Sequence, residues 1–227
     1  MVIASREPGA WPPTKVRSTG HERRRERTLG GAHVPLFTAF ATPAIDMRLD
    51  GSGARVVVAD ADQAPKLAAE PGRDSGRRVV QVGCDAPTAP GWDRFADLMA
   101  AAPAELQVEP ARVGGDGTLI LLFTSGTTGT PKGVPVPLRA LASMERYLLD
   151  ALDVCPDDVF WNGADPGWAY GLYYGILGPL AVGRRSLLLH ARYTPELAFA
   201  VLQYFRVTNF AAAPTVYRTM RAKRDIA

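Results

Sequence analysis

Along residues 43–221, short apolar runs and stretches of helical character alternate without exception, and that alternation leaves few folds open. The runs Arg55–Ala59, Arg78–Val82, Leu119–Phe123, Asp158–Trp161, Ser186–Leu189 and Thr208–Ala212 are predicted strands. Between and around them, Pro43–Leu49, Gln63–Glu70, Trp92–Ala101, Leu138–Asp153, Tyr170–Val182, Pro195–Phe205 and Pro214–Arg221 are predicted helices. In 138–153, Leu138, Leu141, Ala142, Leu148, Leu149 and Leu152 form an apolar stripe near helical period. Strands separated by helices pair in parallel, because each crossover helix returns the chain to the same end of the sheet. An α/β fold with a mostly parallel sheet and flanking helices is predicted.

Residues 1–30 break the pattern. They are rich in Arg, Pro and Gly and lack apolar periodicity, so they are predicted to be a disordered tail or a segment outside the fold, with 31–227 carrying the fold. The tail holds seven basic and three acidic residues, so with a total of +3 the body carries a net charge of −1. A pI near 9.0 therefore belongs to the tail, and no nucleic-acid partner is expected of the body. The longest apolar run, 171–183, is interrupted by Pro179 and falls short of the roughly 20 residues a membrane span needs. With no apolar stretch of signal-peptide length at the N-terminus, a cytoplasmic location is expected. Cys84 and Cys155 are isolated and expected to be reduced thiols, and His21, His33 and His190 are too scattered to propose a metal site.

The densest chemistry lies directly behind the apolar run 119–123, in Phe123-Thr124-Ser125-Gly126-Thr127-Thr128-Gly129-Thr130-Pro131-Lys132-Gly133. The glycines at 126, 129 and 133 permit positive φ and close backbone approach to a ligand. Hydroxyls at 124, 125, 127, 128 and 130, together with the Lys132 ammonium, suit a turn that wraps phosphate oxygens. The string is not a Walker A loop, because Lys132 is followed by Gly133 rather than Ser or Thr.

As a whole, this string resembles the signature of the adenylate-forming superfamily: acyl-CoA synthetases, luciferases and peptide-synthetase adenylation domains. Upstream, Val34-Pro35-Leu36-Phe37-Thr38-Ala39-Phe40, Ala44-Ile45 and Val56–Ala59 are similar to the lead-in of acetyl- and medium-chain acyl-CoA synthetases. Downstream, Ala164-Asp165-Pro166-Gly167-Trp168-Ala169-Tyr170-Gly171 resembles the Ala-Asp-x-Gly-Trp-x-x-Gly element of the acetyl-CoA synthetase branch, and Ala213-Pro214-Thr215-Val216-Tyr217-Arg218 resembles a structural turn of the same enzymes. The resemblance implies part of the large N-terminal domain of the adenylate-forming fold. It also implies an acid–CoA ligase that uses ATP, Mg2+ and coenzyme A on a carboxylic acid, with a short or medium chain expected.

By that resemblance Thr124, Ser125, Gly126, Thr127, Thr128, Gly129 and Lys132 hold the β- and γ-phosphates, and Trp168, Ala169 and Tyr170 wall the acyl pocket. Two bland readings stand beside it: Trp168 as a core aromatic, and Asp165 as a helix N-cap. No single residue is assigned as catalytic. One departure from the family is Leu138, where many relatives carry a histidine.

The family's Gly-Glu-Pro adenine segment, its magnesium-binding glutamate element, its ribose-gripping Asp, its hinge and the C-terminal domain with its catalytic lysine have no counterpart in 1–227. The expectation is an incomplete adenylation domain without the C-terminal domain, inactive alone and exposing apolar strand edges. Two readings stay open: a subdomain that works with a partner chain carrying the missing half, or a non-catalytic remnant with at most weak nucleotide binding. A complete small nucleotide-binding module is a third.

Overall fold

The computed structural model describes residues 3–5, 30–67, 76–87, 89–103, 111–124, 131–189, 191 and 193–224. They fall into two compact units, Met1–Leu138 with two sheets and Arg139–Ala227 with one, each with its own core.

In the first unit, α1 (Thr42–Ser52) carries Pro43 in its first turn, where the missing N–H is harmless. It ends at Gly53, whose φ of 61° lets its N–H turn back to the Asp50 carbonyl. β2 (Val56–Asp60) and β3 (Arg78–Val82) pair in parallel from Val56↔Arg78 to Asp60↔Val82, and β4 (Asp93–Arg94) extends the sheet in parallel. β1 (Ile3–Ser5) adds an antiparallel strand on β2. Three residues of the predicted tail therefore belong to the sheet, while 6–29 lie outside the described residues. α2 (Phe95–Ala101) follows β4. The predicted helix 63–70 is a single 3-10 turn, Ala64–Lys66, and its last three residues lie outside the described residues.

β5 (Thr118–Thr124) and β6 (Lys132–Pro137) form an antiparallel hairpin. β6 escaped prediction because Pro135 and Pro137 alternate with Val134 and Val136. Proline offers no ladder N–H, so such a strand survives only at an edge, and among the described residues β6 pairs with β5 alone. Val34, Leu36, Ile45, Leu49, Val57, Val79 and Leu121 make the core of this unit.

In the second unit, α3 (Ala140–Arg146) runs into a π turn (Tyr147–Ala151). α4 (Ala169–Leu172), a second π turn (Tyr173–Leu177) and α5 (Gly178–Ala181) form one continuous rod. α6 (Pro195–Tyr204) opens on Thr194, whose Oγ1 accepts from the Leu197 N–H, and α7 (Pro214–Arg224) closes the described chain. β7 (Phe160–Asn162) lies between β8 (Ser186–Leu187) and β9 (Asn209–Ala211), and all three are parallel.

Successive side chains of β7 point to opposite faces. Phe160 packs with Leu148, Val154 and Ala211, whereas Trp161 packs with Ala198, Val201 and Met220 and stacks on Phe210 at 4.8 Å. Both faces of this sheet are thus covered, as parallel sheets require. The helices predicted over 138–153 and 170–182 are present but not purely α. Each relaxes to five-residue hydrogen bonding, Leu152 N–H to Tyr147 O and Gly178 N–H to Tyr173 O. Among the described residues, no helix is long and apolar enough to cross a membrane.

Candidate functional site

The β5–β6 ladder runs up to Thr124↔Lys132, with Phe123↔Gly133 one step below. The ladder thus brackets the Gly/Thr/Ser string in sequence. Ser125, Gly126, Thr127, Thr128 and Gly129 lie outside the described residues; Thr124 and Lys132 are both exposed and are brought directly opposite each other. Directly paired residues of an antiparallel ladder project to one face, so a hydroxyl and an ammonium share the open end of the hairpin.

The hairpin is anchored just beneath that end. A Cβ at Gly51 of α1 would come within 3.3 Å of the Phe123 ring, and one at Gly133 within 3.1 Å of Leu121 and 3.5 Å of Phe123. Two glycines thus make room for Phe123, which the core of the first unit takes in. This corrects the expectation for Gly133: it lies in β6 and is not among the glycines with positive φ. Its missing side chain serves packing. At the far end the Leu138 N–H donates to Gly117 O at 2.8 Å. On the open side of β5, His33 N–H donates to Leu119 O and His33 O accepts from Leu121 N–H. Burial holds the His33 imidazole below its ordinary pKa.

In the second unit, the segment after β7 is built by short-range bonds. Asn162 Oδ1 accepts from Ala164 N–H at 2.9 Å, Asp165 Oδ1 from Gly167 N–H at 2.6 Å, and Asp165 O from Trp168 N–H at 3.0 Å. Trp168, with extended φ and ψ, occupies the cap position of α4. Asp165 therefore closes the turn before the helix rather than capping it. Gly171 sits so close to that turn that a Cβ would lie 2.3 Å from Asp165 O and 2.6 Å from Ala164 O. Aspartate and glycine in this element are thus architectural. Trp168, 58% exposed, is no core residue. Ala169 and Tyr170 are half-buried. Burial first, and then the neighbouring Tyr147, Tyr217 and Tyr174, push the Tyr170 hydroxyl above its ordinary pKa.

The Ala213–Arg218 turn starts α7, where Tyr217 Oη donates to Phe210 O at 2.7 Å. Sequence reasoning passed over Asn162, Tyr147 and Tyr174. Asn162 is 6% exposed at the C-terminal end of the central strand, and its Nδ2 has no hydrogen-bond partner among the described residues. Among the described residues no group of three or more His, Cys, Asp or Glu side chains could hold a metal ion.

The profile of the AMP-binding enzyme family matches residues 28–227. The chain belongs to that family. Among curated relatives, the acetyl-coenzyme A synthetase of Bacillus subtilis is 28% identical over 197 residues, covering 87% of this chain and 34% of that protein. The acetyl-coenzyme A synthetase of Methanothrix thermoacetophila is 32% identical over 215 residues, covering 87% and 32%. The crystal structure of Brucella canis acyl-CoA synthetase superposes with a TM-score of 0.76 at 40% identity, over 85% of this chain and 34% of that one. This member of the AMP-binding family thus spans about a third of the length of the relatives it matches.

Proposed function

We propose that this chain contributes the polyphosphate grip and one wall of the acid pocket to an AMP-forming acid–CoA ligase. The observation that carries the reading is the β5–β6 hairpin, whose last described pair, Thr124 and Lys132, brackets the Gly/Thr/Ser string in sequence. In the reaction, a carboxylate oxygen attacks the α-phosphorus of ATP, and the bond to the bridging oxygen breaks. Pyrophosphate then leaves with the electron pair. The thiol of coenzyme A next attacks the acyl carbon, and AMP departs.

The chain's share is electrostatic. Hydroxyls of Thr124, Ser125, Thr127 and Thr128, the backbone around Gly126 and Gly129, and the Lys132 ammonium meet the charge that gathers on the departing pyrophosphate. Lys132 offers a fixed positive charge, and Phe123 in the core beneath keeps the grip from recoiling. Trp168, Ala169 and Tyr170 face the acyl group. Magnesium, when bound, neutralises phosphate charge. The relatives' names favour a carboxylic acid as the group activated.

The test is ATP binding by the full chain with magnesium, followed by acid-dependent exchange of labelled pyrophosphate into ATP. Lys132→Ala is expected to weaken ATP binding about tenfold or more, the loss of one charge-assisted contact. Unchanged affinity in Lys132→Ala would remove the grip from the proposal. Exchange that arises only when a second polypeptide with the rest of a relative's sequence is added assigns the remaining elements to a partner chain.

A further inference from the structure

All seven tyrosines lie in the second unit, and five of them, Tyr147, Tyr170, Tyr173, Tyr174 and Tyr217, gather together there. Tyr147 stacks on Tyr174 with ring centroids 4.2 Å apart at 27°, and Tyr170 meets Tyr174 edge-on at 5.3 Å. An aromatic stripe on a helix is commonly core, but these rings are not. The buried clusters of this unit are built from other residues, Tyr147 is 39% exposed and Tyr217 45%.

Two further features set the array apart. Both π turns begin at one of its tyrosines, Tyr147 and Tyr173, so two helices depart from α geometry where their tyrosines meet. Such turns are frequent at functional sites. Apart from Tyr217, none of the five hydroxyls bonds to protein among the described residues, which leaves half-buried to exposed rings with unused polar tips.

We propose that this array selects the acid, and that it takes a planar aromatic carboxylate in preference to a saturated one of equal size. The inference rests on the reading above that Tyr170 belongs to the acid pocket. A flat ring can add one more face or edge contact at 4.5–7 Å, whereas a puckered ring of the same area cannot, and a tyrosine hydroxyl can donate to or accept from a polar ring substituent. The short- or medium-chain acid expected from the resemblance would offer these rings no aromatic partner.

The test compares benzoate with cyclohexanecarboxylate, measured by ligand-observed NMR on the full chain with ATP and magnesium. Benzoate is expected to bind about three- to tenfold more tightly, the worth of one aromatic contact. Tyr174→Leu and, because Tyr147 is exposed and its loss should spare folding, Tyr147→Leu are expected to abolish that preference while leaving ATP affinity intact. Tyr174→Phe should keep it. Equal affinity for the two acids, no benzoate binding, or a preference that survives both leucine variants overturns the inference, even where ATP binds normally. Failure of ATP binding instead counts against the phosphate grip.

Discussion

Replacing Gly171 with alanine sets two rules against each other. In a helix, alanine is intrinsically better than glycine by about 1 kcal/mol, so the substitution would stabilise α4 if nothing lay nearby. The structure gives the opposite sign. The new Cβ would stand 2.3 Å from Asp165 O and 2.6 Å from both Ala164 O and Asp165 C, all backbone atoms that cannot swing aside. Ordinary contact demands that the start of α4 retreat from the 164–165 turn by about 1 Å. Overpacking of this kind costs about 1–3 kcal/mol, and disturbing the bond from Trp168 N–H to Asp165 O adds about 1 kcal/mol. Set against the propensity gain, the net expectation is about 2 kcal/mol of destabilisation, or a melting temperature lower by roughly 4–8 °C for a chain of this size. Thermal melts by circular dichroism decide it, with Gly133→Ala as the comparison, since there the nearest atom is the flexible end of Leu121. A Gly171→Ala variant that melts at or above the parent temperature refutes the packing argument.

Other perturbations test other parts. Burial, and then neighbouring tyrosines, raise the hydroxyl pKa of Tyr170, Tyr173 and Tyr174. An ultraviolet titration should show part of the tyrosine signal rising later than in urea. The stability these groups lend is full below the unfolded value near 10 and is lost as pH climbs through their folded values. Thr208 Oγ1 donates to Asp158 at 2.7 Å and, with the Cys155 N–H, holds that carboxyl below its usual range. Thr208→Val should therefore move the Asp158 carboxyl resonance titration upward and cost about 1 kcal/mol. The stability Asp158 contributes is present above its unfolded value and lost as pH falls through the folded one. Asn162→Asp would bury a carboxylate that lacks a cation. It should cost about 3 kcal/mol at neutral pH and recover on acidification, as its raised pKa is crossed, with melts at pH 5 and 8 as the readout.

The strands that carry the cores were predictable because burial writes them in aliphatic residues: β3 matches its predicted bounds residue for residue, and β2 and β5 fall within one. β6 was hidden because the pattern that marks it, valine alternating with proline, ordinarily signals a loop. The two-residue β4 is held by register with Val80 and Gln81, which local sequence does not encode. The phosphate string was recognisable from composition, but not that its last glycine serves packing, since the need for space at Gly133 comes from Leu121 and Phe123 across the ladder. Asp165 was misjudged for a related reason. An aspartate shortly before a helical pattern looks like a cap, and only the bond from Gly167 shows that the turn comes first. The tyrosine array was invisible because its members lie on different elements that pattern reading treats one at a time.

The π turn at Tyr173–Leu177 holds one residue more than α geometry would use. The wide turn absorbs that residue locally, so deleting one residue there would return the rod to an ordinary helix while leaving its two ends nearly in phase. Deleting one from the α segment before it, Ala169–Leu172, would instead rotate the start of the rod by about 100° against its end and carry Gly171 away from the 164–165 backbone. The rod thus has one stretch where a residue can be lost without changing what its two ends present, the end that packs on Leu148 and the end that carries Trp168.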